Sequence, residues 1–255
     1  MITVRIEAEP GFVLHVTPYR ETSLLVDLYS RNHGRVRCVA KGFRKPNKQG
    51  ISRALFPYTE HHFGWQGNGE LKTLTRADAI QAPVFLRAEA LFTGLYINEL
   101  LHRLLHDYDA HEYFYQQYRK FILQLANHGP DEPMLRHLEM SLLEELGYGL
   151  VLDLDSQGSA IDSELLYQYI PEQGLRLLSN QQRPDASALK GADLIALVNG
   201  DYSLPSVLRT AKQINRGVID FYLGGRQLHS RELYRQHLMS ADEKPDSLQQ
   251  QAEQK

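Results

Sequence analysis

The hydrophobic pattern of the chain changes once, near Pro83, and this change restricts the folds that the chain can adopt. Before it, short runs of β-branched and aromatic residues alternate with turn residues, which is typical of β-strands. After it, leucines recur at helical spacing. The sequence therefore predicts an α+β protein in which a strand-rich N-terminal domain precedes a mainly α-helical domain.

Five short strands are predicted in the first 80 residues. They are separated by turn signals such as Pro18, Asn32-His-Gly34 and the glycine-rich segment 64–69. Strands of this length and spacing are typical of a small barrel. The predicted strands cover residues 12–16, 24–28, 35–40, 56–65 and 71–77.

The third of these strands is predicted to have one apolar and one cationic face, because successive side chains in a strand point to opposite sides. The apolar face carries Val36, Cys38 and Ala40, and the other face carries Arg35, Arg37, Val39 and Lys41. We expect Cys38 to be a core residue. As the only cysteine, it can form neither an internal disulfide nor a cysteine-based zinc site.

The net charge of −3 is distributed unevenly. The first 80 residues contain twelve basic and seven acidic side chains, a balance of +5, which leaves −8 for the rest. Eight of the twelve basic residues lie between Arg31 and Arg53, and no acid occurs between Asp27 and Glu60. Such a cluster is expected of a phosphate-binding surface, although a solvated loop with ordinary surface charges would have the same composition.

The candidate DNA-binding residues come from this basic stretch. Phe43 is the favoured base-stacking residue because it lies in a basic loop beside a glycine, and Tyr19 is a further candidate. Tyr58 and Trp65 are expected to belong to the core. The full candidate set is Arg31, Arg35, Arg37, Lys41, Phe43, Arg44, Lys45, Lys48 and Arg53.

The remaining chain predicts a helical domain over residues 81–239, with a hairpin insertion at about 150–180. The polar segment 240–255 lacks periodicity and is predicted to be disordered. Arg209, Lys212 and Arg216 share one stripe of a predicted helix and form a possible second DNA surface, or else pair with neighbouring acids. The predicted helices cover residues 91–107, 112–126, 132–147, 188–198, 204–222 and 230–238.

The sequence contains no recognisable catalytic motif. It has neither a Walker-type ATP site nor the glycine–serine elbow of a hydrolase. Glu99, His102 and His106 have metal-ligand spacing, but the paired pattern of a di-metal bundle is missing, so we expect a solvated stripe and no metal. No cofactor is expected. A lone thiol, no secretory signal and no long apolar run favour a cytoplasmic protein that does not bind membranes.

Several segments, in order over about residues 8–239, resemble the RecO family of bacterial recombination mediators. The matching motifs are Glu9-Pro-Gly-Phe-Val-Leu-His15, Tyr19-Arg-Glu-Thr-Ser-Leu-Leu-Val-Asp-Leu28, His33-Gly-Arg-Val-Arg37, Val39-Ala-Lys-Gly-Phe-Arg44, Gly69-Glu-Leu-Lys-Thr-Leu74, Leu95-Tyr-Ile-Asn-Glu-Leu-Leu101, Glu145-Leu-Gly-Tyr-Gly149, Tyr222-Leu-Gly-Gly-Arg226 and Ser230-Arg-Glu-Leu233.

This resemblance implies an OB-fold barrel over residues 1–80 and a non-enzymatic role in DNA repair and recombination. It implies binding of single- and double-stranded DNA, annealing of complementary strands without ATP, and association with the nucleoid. Its implied partners are RecR and the single-stranded-DNA-binding protein SSB, which together help to load the recombinase RecA. Many relatives carry a four-cysteine zinc module in the region matching 150–180, but this chain has no cysteine there, so packing must supply its order.

The SSB tail is acidic with an apolar end, so its docking site should combine a cation with apolar helix residues. Arg136, Leu142 and Leu143 are the candidates, although Arg136 can instead pair with Glu139 or Glu132. A coating module for single-stranded DNA remains the alternative function. A nuclease is disfavoured because no carboxylate cluster lies beside the basic face.

Overall fold

A computed structural model describes residues 5–44, 55–178 and 187–242. Its N-terminal part is a closed barrel with the strand order β1-β2-β3-β5-β4, in which only β3 and β5 pair in parallel. This confirms the predicted five-stranded OB-fold barrel. The strands are β1 (Arg5–Tyr19), β2 (Ser23–Ser30), β3 (Gly34–Ala40), β4 (His61–Gln66) and β5 (Lys72–Ala79).

Strand β1 is much longer than the sequence predicts because it pairs with both β2 and β4. Its register shifts between Val13 and His15 on the β2 side and between Ile6 and Glu9 on the β4 side. Such irregularities bend a strand. One bent strand can thus close the barrel.

The interior of the barrel contains the apolar face of β3. Cys38 is fully buried, as predicted, and burial raises the pKa of its thiol to about 12. Trp65 also lies in this core, and Tyr58 is buried elsewhere, which confirms both predictions. The core comprises Val13, Val26, Leu28, Val36, Cys38, Ala40, Phe43, Phe63, Trp65 and Leu74.

Six helices follow in the described part of the chain, each overlapping a predicted one. In α3, Asp131 accepts a hydrogen bond from the amide of Met134 at 2.8 Å, which caps the first turn. None of the described helices has the length and apolarity that a membrane crossing requires. The helices are α1 (Ala88–Leu104), α2 (Glu112–His128), α3 (Glu132–Glu145), α4 (Gly191–Val198), α5 (Pro205–Tyr222) and α6 (His229–Asp242).

Helix α6 continues to Asp242, beyond the start of the predicted disordered tail at residue 240. The rest of that tail, from residue 243, lies outside the described residues.

Two compact units can be distinguished, and the first contains the barrel with α1 and α6. The Asn98 side chain in α1 donates a hydrogen bond to the carbonyl of Val13 in β1 at 3.2 Å, and Asn98 is buried. Glu99 accepts hydrogen bonds from the amides of Ser230 (2.8 Å) and His229 (3.0 Å). Glu99 thereby caps the N-terminus of α6. One turn of α1, which carries Asn98 and Glu99, thus bonds to both β1 and α6.

The second unit comprises residues 111–124 and 130–226. It includes a three-stranded sheet in the order β7-β6-β8, with β6 at Leu166–Ile170, β7 at Gly174–Leu177 and β8 at Leu189–Lys190. The predicted hairpin is β6–β7. Within it, Tyr167 and Leu175 are buried. Before it, the Asp155 carboxylate accepts hydrogen bonds from the amides of Gln157 and Ser159 at 2.9 and 2.8 Å. Packing and local caps therefore order this cysteine-free segment.

Candidate nucleic-acid interface

The outward face of β3 carries Arg35 and Arg37, which we call the strand face. Both arginines are paired with acids from other elements. Arg37 Nε lies 3.0 Å from Oδ1 of Asp27 in β2, its cross-strand neighbour, and Arg35 Nε lies 2.6 Å from Oδ1 of Asp107 after α1. Arg35 also donates to the backbone carbonyl of His102. The strand face is therefore largely neutralised within the protein.

Asp27 is almost completely buried, with only 3% of its surface exposed. Burial by itself would raise the pKa of its carboxyl. Hydrogen bonds from His102 and Arg37 outweigh that effect and hold this pKa below its usual value. The same interaction with Asp27 raises the pKa of Arg37. Asp27 thus remains charged and anchors Arg37 against the barrel.

A second group of cations lies where β3 ends, and we call Arg20, Lys41 and Arg44 the cationic end. The Arg44 amide donates to the carbonyl of Thr22 at 3.1 Å, and its guanidinium donates to the carbonyl of Arg20 at 3.1 Å. These bonds join the β1–β2 turn to the segment after β3. All three cations are exposed, and none forms an ion pair with an acid in the described part of the chain.

The structure separates the other predicted cations. Arg31 is half-buried in the β2–β3 turn, at the opposite end of β3 from Lys41. Lys45, Lys48 and Arg53 lie outside the described residues, so their predicted role remains a prediction.

Phe43 does not present its ring to solvent. Only 8% of this residue is exposed, and it packs in the barrel core. The prediction that Phe43 stacks on bases is corrected accordingly, because stacking requires an accessible ring face. Tyr19 is half-buried beside the cationic end, and the Arg20 guanidinium lies 5.2 Å from its ring centre. Tyr19 is therefore the better aromatic candidate.

Arg20 was absent from the predicted DNA-binding set. The position of Arg20 could have been predicted from the hairpin topology, but not from the distribution of charge along the sequence. Strands β2 and β3 are antiparallel with Leu24 opposite Ala40, so the turn before β2 must lie beside the segment after β3. The barrel prediction, carried one step further, would have placed Arg20 beside Lys41.

The stripe on α5 is exposed, as its spacing predicts. Two of its three members have acidic neighbours: Lys212 Nζ is 3.9 Å from Oε1 of Glu132, and Arg216 Nε is 3.6 Å from Oδ2 of Asp220. Exposed pairs of this kind contribute little to stability and break readily. The stripe therefore remains available to a polyanion.

The structure of α3 differs from the docking site that the sequence predicts. Leu142 and Leu143 are buried in the interior and cannot line an exposed groove, which corrects this part of the prediction. Arg136 is 8% exposed and pairs with Glu139 at 2.7 Å, while its Nε lies 3.9 Å from Glu132. The alternative interpretation of Arg136, pairing with these two acids, is the arrangement found.

Glu99, His102 and His106 do not form one solvated stripe. Glu99 caps α6, and His106 is exposed. His102 faces the barrel: its Nε2 lies 3.4 Å from Oδ2 of Asp27, and its ring stacks on that of His15 with centres 5.0 Å apart. Burial, and next the charge of His102, lower the pKa of His15.

Comparison with known proteins finds the same family for the N-terminal and C-terminal parts of the chain. Residues 3–83 match the family model "Recombination protein O N terminal", and residues 87–232 match "Recombination protein O C terminal".

Curated relatives are called DNA repair protein RecO. The one from Stutzerimonas stutzeri strain A1501 is 40% identical over 226 residues, which cover 89% of this chain and 92% of the relative. The one from Pseudomonas aeruginosa strain LESB58 is 41% identical over 228 residues, covering 89% and 94%. The one from Aromatoleum aromaticum is 40% identical over 236 residues, covering 91% and 96%.

Proposed function

The chain belongs to the RecO family and acts in DNA repair and recombination, and from this premise we propose that it binds single- and double-stranded DNA through its barrel. It anneals complementary strands without ATP. With RecR and SSB, it helps to load RecA onto SSB-coated DNA in the cytoplasm.

The observation that carries this proposal is the cationic end of the barrel. OB-folds bind nucleic acid with a cationic groove and the loops between their strands. Arg20, Lys41 and Arg44 lie on two such loops, joined by the bonds of Arg44, and no described acid competes for them. Phosphates can therefore bind there without first displacing a carboxylate. Arg31, Arg35 and Arg37 extend the proposed surface along β3. Lys45, Lys48 and Arg53, outside the described residues, are proposed members from the sequence.

Annealing requires that the repulsion between two phosphate backbones be reduced while the base edges stay free. Two cationic surfaces on one protein meet this need. The α5 stripe of Arg209, Lys212 and Arg216 is the proposed second surface, because its ion pairs are exposed and weak.

The acidic tail of SSB is proposed to bind near Arg136 on α3. The buried leucines supply no groove, so the site depends on cations. Glu132 lies 3.9 Å from both the buried Arg136 Nε and the exposed Lys212 Nζ, so Lys212 is the cation that an acidic peptide can contact in place of Glu132. Lys212→Glu changes an exposed side chain. It should weaken binding of a fluorescent tail peptide at least about threefold, as expected for the loss of a charged contact, while unchanged binding contradicts this site.

The proposed role is non-catalytic, and one gel tests it. Complementary strands coated with SSB are incubated with the full-length protein and magnesium, without ATP. Duplex formation is expected. Strands that stay single indicate a coating module, and fragments indicate a nuclease.

The second surface has its own variant, which is tested on complementary strands without SSB because Lys212 also belongs to the proposed SSB-tail site. Arg209→Glu combined with Lys212→Glu should slow annealing several-fold while the affinity for single-stranded DNA changes little. Arg176→Glu with Lys190→Glu, at exposed positions of the second unit, is the matched control. If both variants anneal DNA at the same rate, the α5 stripe is not a DNA surface and its residues have only a structural role.

A further inference from the structure

His15, Asp27 and His102 meet on the outside of the barrel although they lie far apart in the sequence. One ligand-type atom from each side chain lies within 4.8 Å of the other two. His15 is exposed, His102 is half-buried and Asp27 is buried. The cluster therefore has a buried carboxylate at its base and an exposed imidazole at its opening.

Local structure fixes two of the three positions. His15 and Asp27 lie directly opposite each other in the β1–β2 pairing, so their side chains share one face of the sheet. The register of β1 shifts just before His15, between Val13 and His15. Bulges of this kind re-aim the side chain that follows them. Here the shift sets His15 beside Asp27.

Helix α1 supplies the third position. Asn98 is bonded to the carbonyl of Val13, and His102 lies four residues further on the same face of the helix. The Asn98 bond therefore sets the register of α1 along β1 and brings His102 beside His15.

The spacing of the donor atoms fits a small divalent ion. Nitrogen and oxygen ligands bound at ~2.1 Å to a tetrahedral zinc ion lie about 3.4 Å apart. The distance from His102 Nε2 to Asp27 Oδ2 is already 3.4 Å. Only His15 must move closer, and its side chain is the exposed one of the three.

Two of the three side chains, Asp27 and His15, also have hydrogen-bond partners of the kind that orient metal ligands. Arg37 Nε donates to Oδ1 of Asp27 at 3.0 Å, which leaves Oδ2 directed to His102. The Thr17 hydroxyl lies 3.3 Å from Nδ1 of His15. Two imidazoles and one carboxylate are a donor set for zinc-like ions, whereas magnesium and calcium prefer oxygen ligands.

We propose that His15, Asp27 and His102 form a binding site for a divalent transition metal of the zinc class. The three protein ligands leave a coordination position open to solvent, as in zinc sites that bind a further ligand. The ion joins β1, β2 and α1 on the same face as Arg37. This site is independent of the proposed DNA-binding role.

Titration of the untagged full-length protein with cobalt chloride tests the site, because Co²⁺ replaces Zn²⁺ and absorbs visibly when it is four-coordinate. One equivalent should produce these bands, and zinc chloride should abolish them. His15→Gln and His102→Gln should each weaken binding by at least about tenfold, since even the loss of an outer partner costs that much.

His106→Gln is the matched control, because His106 is exposed two residues after the end of α1 and lies outside the cluster. It should bind cobalt like the wild type. If His102→Gln fails to fold, as judged by circular dichroism, the exposed His15→Gln variant decides. Absence of cobalt bands in the wild type, or binding that both cluster variants retain, overturns the proposal and leaves the cluster as a polar contact between α1 and the barrel.

Discussion

The strand face and two members of the cationic end, Lys41 and Arg44, lie within one acid-free stretch of sequence and yet differ in charge. Arg35 and Arg37 on the strand face are paired with Asp107 and Asp27. Lys41 at the cationic end has no acidic partner in the described structure. The difference arises from the fold, because β2 and the segment after α1 bring acids to one region and not to the other.

The comparison shows that a cluster of basic residues in sequence does not define a binding surface. On the strand face, a phosphate must compete with a buried carboxylate whose charge the protein stabilises. At the cationic end, it competes with no carboxylate in the described part of the chain. We therefore expect that DNA affinity depends mainly on the cationic end, and that the stability of the fold depends mainly on the strand face.

The largest expected effect comes from Phe43, which adjoins the cationic end in sequence but lies in the core. Phe43→Ala should lower the free energy of unfolding by about 3 kcal/mol through cavity formation, and Phe43→Leu by about 1 kcal/mol. Urea unfolding measures both. DNA affinity of the folded Phe43→Leu variant should equal that of the wild type.

Tyr19 provides the contrast in the same binding assay. Tyr19→Leu should weaken binding of single-stranded DNA about fivefold, as expected for one lost stacking contact. If Phe43→Leu loses affinity and Tyr19→Leu does not, the two aromatic roles have been exchanged.

The next effect concerns charge at the cationic end. Lys41→Glu with Arg44→Glu should weaken binding of single-stranded DNA about tenfold at low salt and reduce the slope of log affinity against log salt by about 1.4. Fluorescence anisotropy at several salt concentrations measures both quantities. Arg176→Glu with Lys190→Glu keeps the same charge change at a distance in sequence and should leave the slope intact.

The smallest effect is expected for Arg37 on the strand face. Arg37→Ala should lower the free energy of unfolding by about 1 kcal/mol at pH 7, because Asp27 loses a charge-assisted hydrogen bond that is half exposed to solvent. DNA affinity should change less than it does at the cationic end. If Arg37→Ala costs more free energy of DNA binding than free energy of unfolding, the strand face is a binding surface and the comparison is wrong.

The pH dependence gives this prediction a sign. The pKa of folded Asp27 is lowered, so its contribution to stability is present above the unfolded pKa of about 3.9 and is lost as the pH falls through the folded value. Arg37→Ala removes one cause of the lowering. The stability difference between wild type and variant should therefore be full at pH 7 and shrink in acid, as urea unfolding at several pH values will show.

Much of the fold follows from sequence periodicity. The alternation in β3 placed Cys38 in the core, and the helical spacing located all six described helices. The sequence could not give the full length of β1, because its two register shifts depend on which strands it meets.

The site was less predictable, for two different reasons. The Asp27–Arg37 pair could have been predicted, since a hairpin centred on Asn32 places these two residues opposite each other. The partners of Arg35 and His102 depend on how α1 packs against the barrel, which no local pattern encodes. Phe43 was misassigned because its basic neighbours in sequence say nothing about where its ring packs.

The cap that Glu99 places on α6 has a consequence for the order of events on the ribosome. The two residues that meet there, Glu99 and Ser230, are separated by 131 positions. All of residues 111–226 are therefore synthesised between the two halves of a single structural unit. The barrel and α1 are synthesised first, and the face of α1 that contacts α6 stays uncovered until α6 has been translated.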